Sequence, residues 1–233
     1  MSIGNRVYLK KPEAPQELLE AFAQIPAANI ADSIGRLCAM HPRVHLMSSP
    51  DKPVTVGRAI TVKSRAGDNM MLHKALNMAK ENDVILVTND TGESYRALMG
   101  EIMFTFAAYK KLAGIILDGP LRDIDAVRDM KLPIYAQCTN PGGPYKDGTG
   151  EVNVPVSCGG ISVNPGDIVV MDADGIVVVP LQDAEETLRA AQAFQKQDAA
   201  KVVAAATGQA KREWVEKKLA EHGTEIIDDC YLK

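Results

Sequence analysis

The sequence predicts an α/β protein with helical arms at both ends. Strand-like and helical segments alternate between residues 54 and 130, short strand-like pieces dominate after Pro133, and residues 183–221 form a charged helical region. Strand, loop and helix in alternation are typical of the α/β class. The 233 residues contain nothing that looks like a linker, so we expect one domain over residues 1–182 and a helical arm over residues 183–233.

Hydrophobic periodicity predicts the individual elements. Apolar residues at helical spacing predict helices over residues 17–23, 27–40, 68–79, 96–112 and 125–130. Runs rich in β-branched residues predict strands over residues 54–63, 83–88 and 114–117, and then within IYAQC, VNVPVS, GISV, DIVVMDAD and GIVVVP. The terminal helical region bends near Gly208 and has too little apolar surface to be buried along its length, so we expect it to pack on a neighbouring subunit.

Composition excludes several classes of protein. The chain is 46% hydrophobic and 24% charged, with a formal net charge of −4, which excludes a disordered chain and gives no broad basic surface for nucleic acid. No apolar run reaches membrane-spanning length, and the first residues lack the apolar core of a signal peptide, so we expect a cytoplasmic protein. Four scattered cysteines without a CxxC pair predict neither a zinc ribbon nor a disulfide framework, and we expect most of them to be small buried hydrophobes.

The segment LDGPLRDID, residues 117–125, gathers charged residues around a Gly-Pro turn between a buried strand and a helix. The carboxyl end of such a strand is a natural ligand position, and loops on a rigid scaffold often carry catalytic groups. Arg122 offers a planar fork for a carboxylate, and Asp123 offers a hard oxygen ligand for Mg²⁺ or Mn²⁺. The alternative is a helix start that favours acidic residues, with Arg122 in a surface ion pair.

Gly100, in MGEIM, interrupts a helical pattern that glycine weakens by about 1 kcal/mol relative to alanine. Helix packing is one explanation. In the other, the helix begins here, so that the amides of Ile102 and Met103 point freely at an anion and Glu101 holds a metal-bound water.

Other motifs predict structural roles. HPRVH spaces His41 and His45 like two zinc ligands, but Pro42 opposes a helix and the glutamate of HExxH is missing. The DADG stretch at residues 172–175 predicts a tight turn, since the later ligands of a calcium loop are lacking. The sequence contains no Walker loop, no GxGxxG after a strand and no GxSxG elbow, and no lysine stands out as a Schiff-base former.

The ordered motifs resemble the RraA-like family, which contains the 4-hydroxy-4-methyl-2-oxoglutarate/4-carboxy-4-hydroxy-2-oxoadipate aldolases. The resemblance spans most of the chain and rests on NIADSIGR, VGRAITVK, NDVILVTND, MGEIM, GIILDGPLRD, LPIYA and VNVPVSCGGISVNPGDIVVMDADGIVVVP. Its most telling element is Gly100 followed by the pair Arg122-Asp123, which is similar to the aldolase signature. The resemblance implies a layered fold like the swivelling phosphohistidine domain, assembled as trimers or pairs of trimers.

The resemblance also implies site residues. Asp123 matches the carboxylate that ligates Mg²⁺ or Mn²⁺, and Arg122 matches the arginine that contacts the substrate and its carbonyl oxygen. Glu101 stands where the aldolases place an acidic residue that holds a metal-bound water.

On the substrate side, the resemblance implies a substrate-binding segment that contains Gly100, Ile102 and Met103. The backbone amides of Ile102 and Met103 match the positions that receive the pyruvate carboxylate. The family also brings a glutamate from the C-terminal arm of the adjacent subunit. Glu213 is the residue we expect in that role, with Glu216 as the alternative.

The implied activity is a class II aldolase that releases pyruvate from 4-hydroxy-2-oxo acids and decarboxylates oxaloacetate through the same enolate. One alternative is a non-catalytic regulator that binds an RNA-degrading endonuclease, although such relatives usually lack the aspartate after the arginine. A methyltransferase of menaquinone synthesis is disfavoured by the missing Gly-rich cofactor loop. The segment TNPGGPYKDGTG either lines the pocket or forms a surface turn.

Overall fold

A nine-stranded sheet carries the fold in the computed structural model, which describes residues 3–89 and 95–232. The described strands are β1 (Arg6–Val7), β2 (His45–Leu46), β3 (Val54–Ser64), β4 (Asp83–Asn89), β5 (Gly114–Leu121), β6 (Ile134–Thr139), β7 (Gly150–Val152), β8 (Val156–Cys158), β9 (Ile161–Val163), β10 (Ile168–Asp172) and β11 (Gly175–Val179). The described helices are α1 (Gln16–Phe22), α2 (Ala27–Ser33), α3 (Met70–Met78), α4 (Glu101–Tyr109), α5 (Ile124–Asp129), α6 (Ala184–Ala206) and α7 (Glu213–Glu221).

Four parallel strands, β3, β4, β5 and β6, form the centre of this sheet. Strand β2 pairs antiparallel with β6, β7 pairs antiparallel with β3, and β1 lies beside β7. The β10–β11 hairpin joins through β10 and β3, while β8 and β9 form a separate ribbon. Since parallel strands are covered on both faces, their sequences are nearly continuous apolar runs such as VILV and GIIL.

Layers cover both faces of the parallel strands. We call the face that carries Val87 and Leu117 the helical face, because its side chains pack with those of α3, α4 and α5. The opposite face, with Leu86 and Ile116, packs with β8 and β9 and is called the ribbon face. A third cluster joins α1 and α2 to the β10–β11 hairpin and the start of α6. The layered α/β architecture predicted from the sequence is confirmed.

Two predicted helices are shorter than expected. The helix predicted over residues 27–40 ends at Ser33, because Gly35 and Arg36 have φ values of 79° and 63° that a right-handed helix cannot contain. The helix predicted over residues 96–112 begins only at Glu101, since Leu98 already donates its amide to the Pro120 carbonyl in a sheet-like contact.

Strand β5 is longer than predicted. It continues from Gly114 to Leu121, with a register irregularity between Leu117 and Pro120, so the DGPL segment belongs to the sheet. Proline is tolerated there because bulges interrupt the regular ladder. The predicted DADG turn is confirmed: Asp172 pairs with Gly175 across the tip of the β10–β11 hairpin.

The cysteines are less buried than expected. Cys158 is buried, and desolvation raises its pKa, but Cys138 and Cys230 are exposed. The prediction that most of the cysteines are buried was therefore wrong: only Cys158 is fully buried, while Cys138 lies near the end of β6 and Cys230 near the C-terminus.

The chain forms two compact units that divide between Phe194 and Gln195, inside α6. Helix α6 begins at Ala184, next to the boundary predicted after residue 182. Within the second unit the helices break around Gly208, whose φ is 70°. None of the described helices combines the length and apolarity needed to cross a membrane.

Helix α4 offers a test of the helical-face core. Phe104 is fully buried, whereas Phe106, two residues further along, is 42% exposed. We expect Phe104→Ala to lower the free energy of unfolding by about 3–5 kcal/mol, because it removes a large core side chain and leaves a cavity. The matched Phe106→Ala variant should cost about 1 kcal/mol or less. Chemical denaturation measures both, and equal losses would contradict the assigned packing.

Candidate active site

Strand β5 and the segment before α4 are joined side by side. Leu98 donates its amide to the Pro120 carbonyl over 2.9 Å, and Arg122 donates its amide to the Met99 carbonyl over 3.0 Å. Met99 and Leu121 form an isolated parallel bridge between these two bonds. These contacts bring the start of α4 against the residues that immediately follow β5.

Gly100 lies at the closest point of this contact. A Cβ atom there would collide with Asp123 Oδ2 and would lie 2.8 Å from Arg122 Nε. The backbone of Gly100 is extended, with φ −141°, so any residue could adopt its conformation. Glycine is needed because the Arg122 and Asp123 side chains occupy the space of a side chain, which favours close approach over helix packing as its explanation.

Asp123 has an uncommon conformation for a non-glycine residue. Its φ and ψ are 61° and 43°, in the left-handed region, immediately before α5. Its Oδ2 accepts the Glu101 amide over 2.9 Å and lies 3.7 Å from Arg122 Nε. Left-handed residues of this kind cost about 1–3 kcal/mol and concentrate at functional sites. The strain turns the carboxylate towards the start of α4.

Arg122 projects a half-exposed guanidinium beside the loop of residues 140–149. A Cβ atom on Gly143 would lie 3.0 Å from Arg122 Nη1, so this glycine also permits close approach. Arg96 fixes the loop, since its Nη1 donates to the Gly143 carbonyl over 2.8 Å and its guanidinium stacks 4.0 Å from the centre of the Tyr145 ring. The loop in TNPGGPYKDGTG therefore borders the Arg122 side chain.

Two neighbouring residues before α3, Asp68 and Asn69, stabilise the same region through hydrogen bonds. Asp68 is buried and its Oδ2 accepts the amides of Asp147 and Gly148, over 2.9 and 2.6 Å. Asn69 donates its side-chain amide to the Leu98 carbonyl over 3.0 Å, which ties α3 to the segment before α4. The sequence predicts only a helix cap here, because the contacts with a loop about eighty residues away leave no local pattern.

The first turn of α4 partly matches the anion site predicted for it. The Ile102 amide has no hydrogen-bond acceptor among the described residues and lies at the positive end of the helix. The Met103 amide instead donates to the Gly100 carbonyl over 3.0 Å, so the expectation that both amides are free was wrong for Met103. Such a tightened first turn is common at helix starts. Glu101 is the exposed first residue of this helix.

The other acidic residues of LDGPLRDID lie elsewhere. Asp118 accepts hydrogen bonds from the Arg43 guanidinium, from Gln137 and from the Gly159 amide. Burial would raise the pKa of Asp118, but these hydrogen bonds outweigh burial and hold it below its ordinary value. Asp125 has an almost fully exposed side chain. Of the cluster, only Arg122 and Asp123 meet Gly100.

Glu213 and Glu216 belong to the second compact unit, where both lie in the exposed first turn of α7. Within residues 3–89 and 95–232, no group of three or more histidine, cysteine or acidic side chains could by itself hold a metal ion. Asp123 and Glu101 are the carboxylates that the first unit offers where β5 meets α4.

Fold and site together define an α/β protein in which an Arg-Asp pair after a parallel strand is held against a helix start. The sequence profile of the RraA-like family, described as Aldolase/RraA, matches residues 27–178. The chain belongs to this family, so the resemblance based on its motifs is confirmed.

Individual relatives agree with this assignment. A protein of Halalkalibacterium halodurans named "Putative 4-hydroxy-4-methyl-2-oxoglutarate aldolase" is 34% identical over 189 residues, which cover 81% of this chain and 89% of that protein. An uncharacterised Pseudomonas syringae protein of known structure matches with a TM-score of 0.74 at 26% identity, covering 84% of this chain and 96% of that one. The RNA-processing inhibitor RraA from Thermus thermophilis matches with a TM-score of 0.60 at 26% identity, covering 66% and 92%.

The Asp118 ion pair predicts a pH-dependent contribution to stability. A carboxyl whose folded pKa lies below its unfolded value of about 3.9 stabilises the fold above that pH, and the contribution is lost as the pH falls through the folded pKa. Asp118→Asn should therefore reduce the free energy of unfolding by roughly 1–3 kcal/mol at pH 7. The difference from the wild type should shrink below about pH 4.

Denaturant unfolding at a series of pH values measures this difference. The exposed Asp125→Asn variant is the matched control and should stay within about 0.5 kcal/mol of the wild type throughout. A difference for Asp118→Asn that stays constant down to acid pH would contradict the ionic role of this carboxylate.

Proposed function

We propose that this protein is a divalent-metal-dependent aldolase that releases pyruvate from 4-hydroxy-2-oxo acids of the 4-hydroxy-4-methyl-2-oxoglutarate type. The observation that carries the proposal is the contact of Gly100 with the side chains of Arg122 and Asp123 at the start of α4. Membership of the RraA-like family and the name of the Halalkalibacterium relative support it.

Each group at the start of α4 suits one part of a 2-oxo acid. The free Ile102 amide and the positive helix end suit its carboxylate. Arg122 is half-exposed and lies beside the loop of residues 140–149. Its guanidinium can donate to the 2-oxo oxygen, on which negative charge develops during the reaction. The substrate would thus lie with its pyruvoyl end between α4 and Arg122.

The metal that the family implies fits the residues present. Asp123 would be its direct ligand and Glu101 would hold a coordinated water, a set of one or two carboxylates that suits Mg²⁺ or Mn²⁺, which retain several waters. The Asp123 side chain is 42% exposed, so ligands from solvent can reach it. When bound, a divalent cation supplies the positive charge that stabilises an enolate.

Bond cleavage requires a base and a stabilised enolate. Glu101, with Glu213 from a neighbouring subunit, would position the water that takes the proton of the C4 hydroxyl. The C3–C4 bond then breaks, C4 leaves as a carbonyl, and the electron pair becomes the pyruvate enolate, whose oxygen Arg122 stabilises. The same water then delivers the proton taken from the C4 hydroxyl to C3, which gives pyruvate. Oxaloacetate would lose carbon dioxide to form the same enolate, so we expect decarboxylase activity at the same site.

A regulatory function is the second candidate, supported by the structural similarity to the Thermus RNA-processing inhibitor. The Asp123 carboxylate favours the enzyme, because folding alone gives no clear advantage to a strained, half-exposed aspartate at this position. A trimer or hexamer suits either function.

Asp123 should be essential for activity. We expect Asp123→Ala to lower pyruvate release from 4-hydroxy-4-methyl-2-oxoglutarate and from oxaloacetate by at least about a hundredfold, since it removes the carboxylate that holds the metal. A coupled lactate dehydrogenase assay with Mg²⁺ or Mn²⁺, and with EDTA, measures the loss. Asp125→Ala, two residues away, is the control and should stay near wild-type activity. Absence of turnover by the folded wild type on either compound would overturn the proposal.

The glutamate of the arm can be identified by subunit mixing. Glu213→Ala should abolish most activity, and Glu216→Ala should do so instead if the register differs. If the arm serves a neighbouring subunit, oligomers reassembled from equal amounts of Asp123→Ala and Glu213→Ala chains should recover about a quarter of wild-type activity, since about that share of sites is intact. Mixtures that stay inactive would show that the arm does not act across subunits.

A further inference from the structure

The parallel strands carry a row of polar side chains near their carboxyl ends, on the ribbon face. Lys63 of β3 pairs with Thr88 of β4. Asp118 of β5 and Gln137 of β6 follow at the same level, and Gln137 donates to Asp118 Oδ1 over 2.6 Å. The carboxyl ends of parallel strands are where ligands bind in open α/β sheets. The apolar ribbon face therefore ends in groups that can contact a polar molecule.

A cavity of about 980 Å³ lies against this row. Its lining includes Thr149, Ser157 and Ser162, which carry hydroxyl groups, and the cationic residue Arg65. No aromatic side chain is among its described lining residues. Gly100, Arg122 and Asp123 are also absent from this lining, and α4 and α5 pack on the helical face, so the cavity is separate from the candidate active site.

Among the described residues, the charged side chains around the cavity leave an excess of positive charge. Asp118 is neutralised by Arg43, which binds it through two hydrogen bonds of 3.0 and 2.9 Å. Glu151, which faces Lys63 from β7, forms a 2.6 Å ion pair with Arg6. Lys63 and Arg65 are exposed and make no ion pair with any described residue.

We propose that this cavity binds a small polyhydroxylated anion, such as a sugar phosphate or a sugar acid. Lys63 and Arg65, which have no ion-pair partner in the described part of the chain, suit an oxyanion group, while the serine and threonine hydroxyls suit neighbouring hydroxyl groups. The volume lies in the range of small-molecule sites, and the absence of an aromatic platform disfavours a nucleobase. This site does not depend on the proposed aldolase activity.

Isothermal titration calorimetry of the full chain tests the proposal, with ribose 5-phosphate, gluconate, ribose and inorganic phosphate as the probes. We expect saturable binding of ribose 5-phosphate or of gluconate. Comparison of these two compounds distinguishes a phosphate from a carboxylate ligand. The Lys63→Met/Arg65→Gln variant should weaken this binding at least about tenfold through loss of two charge-assisted contacts. Lys74→Met/Arg189→Gln removes the same charge from exposed positions outside the cavity lining and should leave binding unchanged.

Binding that survives in the Asp123→Ala protein would further support a separate site, and its loss there would overturn the proposal. Equal weakening by both double variants would also overturn it, because net charge alone would then explain binding. Phosphate binding as tight as ribose 5-phosphate would refute the role of the hydroxyl groups. Absence of saturable binding by every probe, with both proteins folded by circular dichroism, would refute the site.

Discussion

The packing of the Gly100 backbone against the side chains after β5 is the constraint on which the candidate active site depends. Two backbone hydrogen bonds, from Leu98 and Arg122, align the segment before α4 with the end of β5. The space of a missing Cβ atom then admits the Arg122 and Asp123 side chains. The first helix turn, the guanidinium and the carboxylate all take their positions from this one junction.

The surrounding structure holds that junction from several sides. The loop of residues 140–149 borders Arg122, and Arg96 and Asp68 fix this loop through its backbone. Asn69 links α3 to the segment before α4. These side chains donate hydrogen bonds to main-chain carbonyls or accept them from main-chain amides. The backbone conformation of the loop therefore depends little on the loop's own side chains. A rigid frame of this kind preorganises binding groups.

Local sequence patterns predicted most of the secondary structure and part of the site. Runs of β-branched residues predict the strands from β3 to β6, and turn residues predict the DADG hairpin. Both signals depend only on residues that are close together in the sequence. The start of the helix predicted over residues 96–112 was placed too early, because the apolar residues Ala97, Leu98 and Met99 fit a helical pattern. They are buried instead through contacts with the end of β5 and the loop of residues 140–149. The roles of Arg96 and Asp68 depend on distant loop atoms, which no local periodicity records.

The left-handed conformation of Asp123 has an evolutionary consequence. Glycine adopts that conformation without the steric cost that aspartate bears, so loss of the carboxylate would relieve strain while giving up the hydrogen bond to the Glu101 amide. These two effects oppose each other, and the net change in stability should be small. Drift could therefore remove the proposed chemistry while leaving the fold intact, and only selection for activity would retain an aspartate here. The same scaffold could in this way pass between catalytic and purely binding roles across a lineage.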